Sequence, residues 1–118
     1  MGIVYHANYL VWCEVGRTDF MRQLGARYAD MEARGVLLAV SEVNLRLLTS
    51  ARYDDVVTVE TSLAELRSRL LAFEYVITRA SDGTRLATAR TSLISLSRDR
   101  RPTSLPTDLR TLLGGALT

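Results

Sequence analysis

Residues 1–20 read MGIVYHANYLVWCEVGRTDF, and the fold turns on how that stretch is read. Its spacing predicts a helix from about Asn8 to Leu24, stopped by Gly25, with Asn8 or His6 as N-cap. Tyr9, Leu10, Val11, Trp12, Cys13 and Val15 make its first half apolar on nearly every side. Such a helix is expected to be buried. Gly16 weakens it but lets another backbone come close. The second half is more amphipathic, with Phe20, Met21 and Leu24 on one side. A short helical turn is expected over 28–34, closed by Gly35.

Beyond Gly35 the period changes. Four strand-like runs follow, at about 37–50, 54–66, 69–80 and 85–97. Leu71, Phe73, Tyr75 and Ile77 alternate with Leu70, Ala72, Glu74 and Val76, which is period two with one face the more apolar. Ser81-Asp82-Gly83 reads as a hairpin turn, and Arg52–Asp55 and Leu66–Ser68 mark the other reversals. Pro102 and Pro106 end the sheet region, and residues 107–113 read as a last helical turn or two. The runs are longer than the usual five or six residues. The fold class is therefore α+β: a curved antiparallel sheet of four strands wrapped around one central helix, in a single domain spanning 1–118.

Composition narrows the functions. With 47% hydrophobic and 24% charged residues, the 118-residue chain has the balance of a globular protein. No apolar run reaches the ~18 residues needed to span a bilayer, and the start lacks a signal-peptide layout. A cytoplasmic protein with no membrane partner is expected. One cysteine and one histidine argue against a transition-metal site, and Cys13 reads as a buried, reduced thiol. All fifteen basic residues are arginine, yet they are spread along the chain and the net charge is only +2. Without a basic stripe interleaved with aromatics, nucleic acid is not an expected partner.

Three stretches carry a resemblance. GIVYHANYLVWCEVGR, residues 2–17, resembles the opening motif of hotdog-fold acyl-CoA thioesterases of the 4-hydroxybenzoyl-CoA and YbgC type, through Gly2, Val4, Tyr5, His6, Tyr9, Glu14 and Arg17. ARYDDVVTVET (51–61) and LLAFEYVI (70–77) resemble the following strands. The resemblance implies a hotdog fold, hydrolysis of an acyl-CoA or acyl carrier protein thioester, no cofactor, and a homodimer or homotetramer. It also implies a catalytic aspartate three residues ahead of Gly2, which falls two positions before Met1, and a first strand that lies further upstream still. Loss of an N-terminal segment is the expectation; a protein that binds the thioester without hydrolysing it is the alternative.

Thioester hydrolysis needs a carboxylate that attacks the acyl carbon or activates water, and donors for the oxyanion that forms. A helix start supplies unpaired amides and a favourable dipole, so the backbone N–H groups of His6, Ala7 and Asn8 are the candidate oxyanion hole. His6 is a candidate catalytic residue that orients the thioester, bonds the carboxylate or acts as base; capping of the helix is the plainer role. Tyr5 is a candidate pocket wall or a packing residue. Glu14 lies roughly 12 Å along the helix from His6, too far to replace the aspartate, and at i,i+3 it reads as an ion-pair partner of Arg17. Arginine suits the coenzyme's phosphates, and Arg67, Ser68 and Arg69 sit at a turn where the resemblance implies coenzyme binding; solvated turn residues are the alternative. Arg98, Arg100 and Arg101 read as a solvated strand end, and Asn44, Thr61 and Ser62 as possible pocket lining. The strand Leu37–Leu48 reads as a pairing edge for a second copy. A hotdog dehydratase and a plain partner-binding domain are further alternatives.

Overall fold

A computed structural model describes residues 7–118. Tyr5 and His6 lie outside the described residues. The elements run α1 (Ala7–Gln23), α2 (Tyr28–Ala33), β1 (Leu37–Leu47), β2 (Val57–Leu66), β3 (Leu70–Arg79), β4 (Arg85–Leu96) and α3 (Thr107–Gly114). The four strands form one antiparallel sheet in the order β1-β4-β3-β2. β2, β3 and β4 follow one another by hairpins. The connection from β1 to β2 instead carries the chain from one edge of the sheet to the other.

The inner face of the sheet is set by period two. Leu71, Phe73, Tyr75 and Ile77 of β3 are buried, as are Ala87, Ala89, Thr91 and Leu93 of β4. Their neighbours Glu74, Val76, Thr88 and Arg90 face the other side. Helix α1 lies across the inner face. Gly16 meets Val59 and Thr61 of β2, and the Phe20 ring stands edge-on to Phe73 at 5.7 Å. Register shifts at Val40/Glu42 and Leu63/Glu65 add local twist near the sheet's far end.

The helix departs from expectation. α1 buries one stripe, Tyr9, Cys13, Arg17 and Met21, at i,i+4 spacing. Val11 and Val15 are 52% and 62% exposed, and Trp12 is only half-buried. A one-sheet fold covers only one side of a helix, so an all-apolar helix here leaves an apolar side open.

Strand boundaries also tighten. β1 ends at Leu47, because the Leu48 and Thr49 amides both turn to the Leu86 carbonyl. β2 begins at Val57, because Arg52–Asp55 closes a turn with Asp54 at φ 74°. Asp55 clamps that turn. It accepts the Arg52 amide at 2.8 Å and the Arg79 guanidinium at 3.0 Å, while Arg79 also reaches the Ser50 carbonyl and Asp82. The Arg52 amide first, and then Arg79, hold the Asp55 carboxyl below its usual range. A carboxylate whose pKa is lower folded than unfolded stabilises the fold at neutral pH, and that contribution fades as pH falls below about 4. Asp55→Asn is therefore expected to lower Tm at pH 7 and to match the parent near pH 2, as thermal melts at the two pH values would read out.

Candidate active site

The first turn of α1 leaves its N–H groups without partners inside the helix. Ala7 is half-buried there and Asn8 is exposed. No acidic residue occupies that turn to compete for an incoming anion. The position is fixed by Tyr9, whose buried hydroxyl accepts the amide of Ala51 at 3.0 Å. This bond ties the start of α1 to the clamped 51–55 turn.

Arg67, Ser68 and Arg69 form the hairpin turn between β2 and β3, and all three are exposed. The Arg67 Nε lies 2.6 Å from the Glu65 carboxylate, and the Arg67 amide closes the turn on the Leu70 carbonyl. The Ser68 carbonyl accepts the Leu105 amide and the Arg69 carbonyl accepts the Ser95 amide. The backbone is thus braced, while the Ser68 hydroxyl and the Arg69 guanidinium have no protein partner among the described residues.

A single chain does not bring these two groups together. The start of α1 is pinned where β2 begins and β3 ends, whereas the 67–69 turn closes the opposite end of the same strands. A ten-residue strand such as β2 spans roughly 33 Å. Asn44 and Ser62 lie on the outer face, in a trough of about 430 Å³. Arg90 crosses that face to Glu74 and Glu65. Thr61 borders the same trough, while its Oγ1 is buried beside Gly16 of α1 with no hydrogen-bond partner among the described residues. The three thus share an open trough in the sheet and not a pocket at the start of the helix.

The expected Glu14–Arg17 pair is absent among the described residues. Arg17 is only 7% exposed and turns inward. Its Nε donates to the Tyr28 hydroxyl and its Nη1 to the Tyr75 hydroxyl, both at 3.1 Å, and Tyr75 shares a 2.6 Å bond with Thr91. One guanidinium thereby joins α1 to α2, β3 and β4. Burial raises both tyrosine pKa values, against the opposing pull of Arg17. The local i,i+3 spacing hid this cluster, since Tyr75 is 58 residues away. Its signal was the placement of Arg17 on the same i,i+4 stripe as Tyr9, Cys13 and Met21.

Cys13 shares that stripe. Burial pushes its thiol up to about 11, with Arg17 opposing. A thiol this protonated is a poor nucleophile. Native protein at pH 8 is expected to react with a thiol reagent at least about a hundredfold more slowly than the urea-unfolded chain, as a colorimetric thiol titration would show.

A family model described as the thioesterase-like superfamily matches residues 1–113. YneP of Bacillus subtilis is 43% identical over 77 residues, which take in 65% of this chain and 56% of YneP. The acyl-CoA thioesterase YbgC of Haemophilus influenzae is 26% identical over 110 residues, 92% of this chain and 80% of YbgC. The fold matches that of the hypothetical protein TT1821 from Thermus thermophilus, with TM-score 0.91 and 38% identity over 98% of this chain and 88% of that one. It also matches a DHNA-CoA thioesterase from Staphylococcus aureus, with TM-score 0.91 and 31% identity over 98% of this chain and 79% of the other.

Proposed function

Because the chain belongs to the thioesterase-like superfamily, we propose that it hydrolyses acyl-CoA thioesters to a carboxylic acid and free coenzyme A. The observation that carries this reading is the family match across residues 1–113, and the Tyr9–Ala51 bond that anchors the start of α1 supports it. In the reaction a C–O bond forms from water to the acyl carbon and the C–S bond breaks. The sulfur leaves as coenzyme A thiol after taking a proton. The amides of His6, Ala7 and Asn8 stabilise the oxyanion of the tetrahedral intermediate. His6 orients the thioester or its carboxylate partner, and Tyr5 walls the acyl side. Arg67, Ser68 and Arg69 receive the coenzyme's phosphates.

The two halves of this site come from different copies. A two-fold axis that pairs β1 edges antiparallel sets the α1 start of one copy level with the 67–69 turn of its partner. Val40, Val43 and Leu47 on β1 and Val11 and Val15 on α1 are large, exposed and apolar, and a second copy would cover them. A homodimer, or a pair of such dimers, is therefore the proposed assembly, with each 118-residue chain one hotdog domain. The lone reduced Cys13 suits a reducing, cytoplasmic setting.

The second reading is binding of acyl-CoA or acyl carrier protein without hydrolysis. Thiol release from acetyl-, hexanoyl- and benzoyl-CoA separates the two. Turnover by a form carrying an aspartate three residues ahead of Gly2 supports hydrolysis. Tight binding with no turnover in that form supports the second reading.

A further inference from the structure

Among the described residues, a single side-chain hydrogen bond joins the first two turns of α1 to the rest of the chain: the Tyr9 hydroxyl accepts the Ala51 amide at 3.0 Å. Both partners are enclosed, Tyr9 at 2% exposure and Ala51 at 0%. Apolar burial of Tyr9 and Cys13 presses the helix on the sheet, but that force is non-directional. Val11 and Val15 are exposed and add no hold within the chain. The position of the helix start along its own axis therefore depends on where Ala51 stands.

Ala51 is in turn bracketed by one guanidinium. Arg79, the last residue of β3, sends Nη2 to the Ser50 carbonyl at 3.3 Å on one side of Ala51, and Nε to the Asp55 carboxylate at 3.0 Å on the other. Its Nη1 reaches Asp82 in the β3–β4 hairpin at 3.1 Å. The Arg79 side chain is only 16% exposed, so water competes little for these bonds. A planar fork with fixed donor directions sets the spacing of its acceptors, which a flexible ammonium would not do. Asp55 extends the bracket by accepting the Arg52 amide at 2.8 Å. No hydrogen bond joins Arg79 to α1 among the described residues, so its polar influence on the helix passes through Ala51 and Tyr9.

Resting on the thioesterase reading, we propose that Arg79 is a positioning residue for the oxyanion donors, acting through Ala51 and Tyr9 on the amides at the start of α1. It touches neither the substrate nor the reacting atoms. Donors stabilise an oxyanion only when they stand about 2.7–3.1 Å from the place it will occupy. A misplacement of about 1 Å costs up to about a hundredfold in rate. Loosening the bracket therefore lowers kcat, while KM, set by contacts with the rest of the substrate, stays close to the parent's.

The test has two readouts. In amide NMR spectra of the 118-residue chain, Arg79→Ala is expected to move the resonances of Ala7 and Asn8. In a Tyr9→Phe background the same substitution is expected to leave them in place. In the form carrying an aspartate three residues ahead of Gly2, Arg79→Ala and Tyr9→Phe are each expected to lower kcat for hexanoyl-CoA at least about tenfold, with KM within about twofold. The double variant is expected to lie within about twofold of the slower single variant. Arg79→Lys keeps the charge without the fork and should fall between the parent and Arg79→Ala. Arg34→Ala breaks a two-bond contact with Asp108 at the other end of the sheet; it controls for a merely structural loss and should keep kcat. Unmoved Ala7 and Asn8 resonances, multiplicative losses in kcat, or an equal loss in Arg34→Ala overturn the proposal while leaving the thioesterase reading in place. Absence of turnover in the parent form, with the resonances moving as expected, overturns the thioesterase reading and supports the link from Arg79 to the start of α1.

Discussion

Arg17→Ala is expected to cost about 3–4 kcal/mol of unfolding free energy, the largest effect of any single substitution considered. Removing the side chain empties space at the meeting point of α1, α2, β3 and β4. It also takes the donor from the Tyr28 and Tyr75 hydroxyls. Tyr75 keeps Thr91, but Tyr28 has no other side-chain partner among the described residues. Arg17→Met separates volume from polarity. It fills the space and removes a buried cation that lacks a carboxylate partner, so a cost of about 1 kcal/mol or less is expected. Arg17→Lys keeps the charge but lacks the planar fork that reaches two hydroxyls, and should fall between them. Chemical denaturation of the three variants gives the order. Equal losses in Ala and Met would assign the effect to the charge and not to the packing.

The second large effect concerns Gly16. In an open helix, Gly→Ala is stabilising by about 1 kcal/mol. Here a Cβ at Gly16 would stand 2.6 Å from Thr61 Oγ1 and 2.9 Å from Val59 Cγ1. Both distances are shorter than contact allows, and both atoms belong to short, β-branched side chains in the sheet that α1 rests on. The overpacking cost of about 1–3 kcal/mol exceeds the propensity gain, so Gly16→Ala is expected to destabilise and Gly16→Val to do so more strongly. Thr61→Ala in the Gly16→Ala background removes one of the two clashes, and the pair should couple favourably by at least about 0.5 kcal/mol in a double-mutant cycle. Additive effects would show that the helix tilts away from β2 instead of pressing on it.

Several parts of this structure are legible in the sequence because the signals are local. Alternation of Phe73, Tyr75 and Ile77 with Glu74 and Val76 needs only period two, and Gly25, Gly35 and Gly83 mark turns at positive φ. The strand order is not local. Nothing near Arg52–Asp55 says that the chain there passes from one edge of the sheet to the other, since the turn looks the same in a hairpin. Val11 and Val15 read as core in the sequence because composition alone does not separate an apolar residue that the sheet covers from one that it leaves exposed. Arg17 was assigned to Glu14 by i,i+3 spacing, but a buried guanidinium is held better by hydroxyls that share its enclosure than by a carboxylate at the surface.

The candidate site was legible as a set of parts and not as an arrangement. The amides at the start of α1 follow from the position of the helix, and the arginines at 67 and 69 from the hairpin. Their separation follows from strand direction: β2 runs from the clamped turn toward the arginines, so they occupy opposite ends. Tyr53 carries no local signal beyond its place in the 51–61 stretch; its exposure on a clamped turn is a tertiary property.

We propose that a carboxylate at the motif's aspartate position acts with the amides at the start of α1 to hydrolyse a thioester. The most direct measurement compares coenzyme A thiol release from hexanoyl-CoA by two forms of the protein that differ in one residue, aspartate or asparagine three positions before Gly2. The account predicts steady turnover in the aspartate form, with kcat at least about a thousandfold lower in the asparagine form at similar affinity. Equal rates in the two forms, or no release from either, would contradict it.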